Sequence, residues 1–124
     1  MTVPVLRLGR TLIVTLPSAV SDTEMLELQD RLAEEVGELG IRGVVLDVSV
    51  VDVLDSFATR TLRGIAQTVR LRGARAVIVG VRPEVAFSMV RLGLTLEDVP
   101  TALDLEEALD HLDRATGGGT GRGR

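Results

Sequence analysis

Cysteine is missing from all 124 residues, and so is lysine, which makes every one of the fourteen cationic side chains an arginine. The first absence removes disulfides, thiolate nucleophiles and sulfur-ligated metals. The second removes Schiff-base chemistry and the phosphate-binding lysine of a P-loop. Histidine occurs once, at His111, one position before Leu112 and off the apolar stripe of its helix, where it reads as an exposed, inert residue. Zinc-type ligand spacing cannot be assembled from it. The acids Asp47, Asp52 and Asp55 resemble in kind the Mg²⁺-binding carboxylates of a receiver-type phosphoacceptor, but such a site also needs a lysine on a late strand. Enzymes are therefore the least supported class, and no metal or cofactor is expected.

Long apolar runs are lacking as well. The N-terminal MTVPVLRLGRTLIVTL alternates as strands do and has neither the basic start nor the apolar core of a signal peptide, so no membrane span and a cytoplasmic protein are expected. Positive charge is not in excess: the net charge is −4 and the pI about 5.0. Nucleic acid is an unexpected partner for such a surface. A hydrophobic content of 45% in a chain of this length fits one globular domain with a single core, assigned to residues 1–116. The remaining 117–124, rich in glycine and arginine, have nothing to bury and are expected to be a flexible tail.

The periodicities within that domain predict the order β-β-α-β-α-β-α-β-α. In VLRLGRTLIVTL, residues 5–16, Leu6 and Leu8 share one face and Leu12, Val14 and Leu16 another, with Gly9-Arg10 as a two-residue hairpin turn. Ser21 and Glu24 have capping-box spacing, and Met25, Leu28, Leu32, Val36 and Leu39 recur at helical intervals up to Gly40, which predicts a helix over 22–39. GVVLDV (43–48) and AVIVG (76–80) are apolar enough to be strands covered on both faces. Between them a helix starts near Ser56 and closes at Gly73, with Ala58, Leu62, Ile65 and Val69 inward and Arg60, Arg63 and Arg70 outward. Pro83 opens a further helix that stops at Gly93, a short edge strand falls within 96–102, and Asp104 with Glu107 caps a last helix. An antiparallel hairpin feeding βα units gives an α/β domain with a mixed sheet and about four helices.

Two strand-to-helix corners stand out. At GVRPEV, Gly80 to Pro83, a helix N-terminus attracts anions, but the glycine spacing of a nucleotide fingerprint is missing and a plain turn is favoured. The other corner, VDVLDSFATR (51–60), sets Ser56 between acids and apolar residues at the C-terminal edge of the sheet, where α/β folds place functional groups. Asp55 or Ser56 serves as the helix N-cap in the simplest view, a role worth about 1 kcal/mol. Ser56 has no general base nearby to make it a nucleophile, yet it can be a substrate. Phosphate would add about −1.5 to −2 charges beside Asp52 and Asp55, inside an apolar rim of Val53, Leu54 and Phe57. The corner thus reads as a docking surface that phosphorylation closes.

The hairpin, the alternating βα units and a serine after aspartate at the start of the second helix resemble STAS domains. Within them, LDSF together with GVRPEVA and LGL is similar to the stressosome branch, the RsbS type. That resemblance implies a non-enzymatic regulator of the general stress response, with Ser56 as phosphoacceptor and Asp52, Asp55, Phe57, Thr59 and Arg60 as the partner-binding set. Implied partners are a serine kinase of the RsbT type, RsbR-type STAS paralogues and a dephosphorylating phosphatase. Thr59 offers itself as a second acceptor but reads more simply as a surface threonine. A dimer or larger assembly is expected through the leucine-rich hairpin. Two other readings stay open: an anti-sigma factor antagonist of the RsbV type, and a module holding a small ligand near Ser56 or the 80–83 corner.

Overall fold

The computed structural model describes residues 3–115; the stretch 117–124, expected to be flexible, lies outside them. The elements follow the predicted order: β1 (Val5–Leu8), β2 (Thr11–Thr15), α1 (Asp22–Leu39), β3 (Gly43–Asp47), α2 (Ser56–Leu71), β4 (Arg75–Val79), α3 (Pro83–Arg91), β5 (Thr101–Ala102) and α4 (Leu105–Ala115). The strands form one sheet in the order β1-β2-β3-β4-β5. Only β1 and β2 are antiparallel. Their turn begins at Gly9, whose φ of 62° lies where a side chain would be strained.

Alternation along the strands divides the core between the two faces of the sheet. Leu12, Val14, Val44, Leu46, Ala76 and Ile78 point to the side where α1 and α2 lie, and pack on Met25, Leu28, Leu32, Leu62, Ile65 and Val69. Val45, Val77, Val79 and Ala102 point the other way, to α4, where Ala108 and Leu112 cover them. That second layer is narrower: α4 contacts β3, β4 and β5. Leu6, paired in register with Ile13, and Leu8 are left exposed on the hairpin.

Helix α1 is delimited by its local chemistry. The Ser21 hydroxyl accepts the Glu24 amide at 3.1 Å, and the Glu24 carboxylate accepts the Ser21 amide at 2.9 Å. Gly40 ends the helix in the left-handed conformation. The bond from the Ser21 amide is the main cause that holds the Glu24 carboxyl below its ordinary pKa. Ser21→Ala is expected to destabilise the domain by about 1 kcal/mol, read from the urea midpoint. A depressed carboxylate contributes above its unfolded pKa and loses that contribution as pH falls through the folded one. The gap in thermal midpoint between the wild type and Glu24→Gln is therefore expected at neutral pH and should close in acid.

Candidate partner-binding site around Ser56

Strand β3 delivers the chain to the edge of the sheet at Asp47, and residues 48–55 then cross to α2 in a tied-down loop. The Asp47 carboxylate accepts the Ser49 amide at 2.9 Å, the Val51 amide donates to the Val48 carbonyl at 3.1 Å, and the Asp52 amide donates to the Ser18 carbonyl at 3.3 Å. Beneath the loop, Gly80 at the end of β4 has φ of 81°, and a Cβ there would stand 2.7 Å from the Ser49 Cβ. Glycine is what lets the two loops touch. Val51 and Leu54 turn inward, each 2% exposed, while Val50 and Val53 face solvent at 51% and 64%. Leu54 thus anchors the loop in the core, a correction to its expected place on the apolar rim.

The N-cap of α2 is Asp55. Its Oδ1 accepts the Ala58 amide at 2.8 Å, and its carbonyl accepts the Thr59 amide at 2.9 Å. Ser56, the first helical residue, is exposed, and its hydroxyl makes no hydrogen bond among the described residues. The choice left open by the sequence is settled for Asp55. Ser56 therefore carries a hydroxyl with no part in the cap.

Asp52, Asp55, Ser56, Phe57 and Arg60 gather at this corner, with Phe57 half-buried against the core and Arg60 exposed. Thr59 does not join them. It is 1% exposed and its hydroxyl is buried without a partner, so the expected surface threonine is an interior one, closed to a docking protein and to a kinase in the folded domain. Its position three residues before Leu62 places it on the inward stripe of α2.

One residue of the corner went unnoticed in the sequence. Arg82, the N-cap residue of α3, makes no capping bond; instead its guanidinium donates to the Val51 carbonyl and lies 3.5 Å from the Asp52 carboxylate. The two strand-to-helix corners are thereby one structure. The ion pair itself is weak, since Asp52 is 73% exposed. The bond to a backbone carbonyl carries more, on the scale of about 1.5–3 kcal/mol for a charged donor. Beside the loop, a hollow of about 290 Å³ opens between Ser18–Val20, Met25 and Val51–Asp55. The surface thus combines an exposed hydroxyl, exposed aliphatic groups and a recess.

The STAS domain profile matches residues 2–108 of this chain. The chain belongs to the STAS domain family. Among solved structures, a serine-to-glutamate variant of RsbS from Moorella thermoacetica superposes with a TM-score of 0.78 at 30% identity, covering 93% of this STAS domain chain and 97% of that one. A chain from the molecular architecture of the stressosome superposes with a TM-score of 0.76 at 30% identity, covering 90% and 97%. The Bacillus subtilis RsbT co-antagonist RsbRA is 35% identical over 75 residues, 57% of this chain. The STAS domain spans only 27% of RsbRA's length. In fold and sequence it is of the stressosome type. No helix among its described residues is long and apolar enough to cross a membrane, and no group of three or more His, Cys, Asp or Glu among them is placed to hold a metal.

Replacing the guanidinium tests the link between the corners. Arg82→Met is expected to raise amide hydrogen exchange at Val51 and Asp52 while the amides of β3 and β4 keep their protection. Equal exchange in both proteins would show that the loop is held without Arg82.

Proposed function

We propose that this STAS domain is a non-enzymatic switch of the general stress response: it holds a serine kinase of the RsbT type and releases it when Ser56 is phosphorylated. The observation that carries this reading is the division of labour at the start of α2, where Asp55 caps the helix and Ser56 presents an unengaged hydroxyl. A serine needed as a cap would be a poor acceptor, because modification would undo the helix start. Here phosphate is added to a group that supports no fold contact.

The sign of the effect follows from the surroundings. At a helix N-terminus a phosphate is favoured by about 0.3–1 kcal/mol, so the isolated domain tolerates it. A partner covering the corner desolvates the new charge beside Asp52 and Asp55, and like charges brought together in a contact cost several kcal/mol. Repulsion wins only when the corner is covered. A loss of about 3 kcal/mol weakens binding roughly a hundredfold, enough to turn retention into release. Val50, Val53 and Phe57 supply the apolar part of the contact, and Arg60 its charged flank.

In the same reading the domain works in the cytoplasm within a stressosome-type assembly with RsbR-type paralogues, and a phosphatase resets Ser56. The hairpin face bearing Leu6 and Leu8, 63% and 53% exposed, suits contact with a neighbouring STAS domain. Titration with an RsbT-type kinase separates the possibilities: Ser56→Ala should bind as the unmodified protein does and resist ATP-driven release, whereas Ser56→Asp should bind on the order of a hundredfold more weakly. Equal affinities of the two variants would contradict the mechanism.

A further inference from the structure

A second hollow, sharing no lining residue with the one beside Ser56, lies between α3, residues 94–96, β5 and the start of α4. It measures about 460 Å³, within the range of binding sites. Ala86, Met89, Leu94 and Ala102 line it. Its lining also includes Val90 and Leu103, which are 75% and 83% exposed. Large aliphatic groups held open to water around an apolar trough mark a surface that something covers.

Charge identifies the kind of partner. From Leu92 to Asp113 the chain has seven acids and no arginine, leaving eleven acids against fourteen arginines elsewhere. The negative charge is therefore concentrated on the β5 and α4 side of the groove, while the α3 side carries Glu84 and Arg91. Glu97, Asp104, Glu106 and Glu107 are exposed there, and Glu107 lines the trough. Two bonds fix this edge: the Leu103 amide donates to Glu107 Oε1 at 2.9 Å, and the Glu107 amide to Asp104 Oδ1 at 2.9 Å. Asp98 is joined to Arg63 of α2 at 3.2 Å, which ties the loop to the body of the domain. An aliphatic trough on an anionic segment complements a helix with a leucine-type face and flanking lysines or arginines.

The alternatives fit less well. Strand β5 is only two residues long and follows Pro100, so it offers little register to an added strand. Residues 116–124, TGGGTGRGR, contain no large apolar side chain. In a second copy the apolar stripe of α2 is buried behind its arginines, and the exposed Phe87 and Val90 stand on α3, which is itself a wall of the groove. We propose that the groove between α3, β5 and α4 is a docking site for a cationic amphipathic helix of a partner protein, separate from the Ser56 corner.

The chain has no tryptophan or tyrosine, so a peptide bearing one tryptophan reports its own binding without background. A Leu/Lys peptide of about 14 residues, long enough to form a helix, is titrated with the full chain at roughly 0.15 M salt. A Leu/Glu peptide with the same apolar face serves as the control. Saturable binding with a blue-shifted emission is expected for the cationic peptide only, weakened about tenfold or more in the double variant Val90→Ser, Leu103→Ser. Both residues are exposed, so that variant should keep the wild-type thermal midpoint. The proposal is overturned by absence of saturable binding, by equal binding of the anionic peptide, or by an unchanged affinity in the double variant. A concentration-dependent dimer of the wild type that the double variant abolishes would overturn it too, by assigning the groove to a second copy.

Discussion

The hydrogen bond from the Ala58 amide to the Asp55 carboxylate decides what Ser56 is free to do. Every helix begins with amides that have no partner inside it, and a serine at such a start is ordinarily consumed in supplying one. Here the preceding aspartate takes that duty, and it does so with a charge that also suits the positive end of the helix dipole. The hydroxyl one residue on is left pointing at solvent. A modification can then alter the outer surface without unwinding α2, which is what a reversible switch needs.

Around that bond the fold supplies rigidity. The parallel strands β3 and β4 bring their following loops to the same edge of the sheet, as parallel pairing requires. Gly80 allows the loops to touch, Arg82 grips the Val51 carbonyl, and the Ser18 carbonyl holds the Asp52 amide. Buried Val51 and Leu54 fasten the same loop to the core. Ser56 therefore sits on a fixed platform in which its hydroxyl and the exposed valines keep a constant relation to one another. Helix α3 joins this platform to the second hollow: Arg82 is its N-cap, and Ala86 and Met89 line the trough.

The extent to which this was legible in the sequence depended on how local each cause is. Helix α1 was readable at both ends because Ser21, Glu24 and Gly40 act within a few residues of themselves. The hairpin was readable because Gly9 and the alternation on either side speak for the same register. Strand β5 shrank to Thr101–Ala102, since Pro100 and the turns before it leave little chain to pair. At the candidate site, the placing of Ser56 with Asp52 and Asp55 at a strand-to-helix corner was legible from the elements on either side. Arg82 was not, because its bond to Val51 spans 31 residues and no pattern in either segment announces the other. Thr59 was misplaced on the surface for a different reason: it stands three residues before Leu62, but a polar side chain near a helix start invites the opposite assignment. Leu54 was put on the rim because a loop without regular alternation does not show which apolar side chain turns inward.

Phosphopeptide mapping of the protein purified from its own cells, before and after stress, with the co-purifying proteins identified alongside, tests the central claim most directly. Phosphate should appear on Ser56 after stress, with loss of a small serine kinase from the purified complex and no phosphate on buried Thr59. An unmodified Ser56 in both states, with no kinase co-purifying in either, would contradict the account.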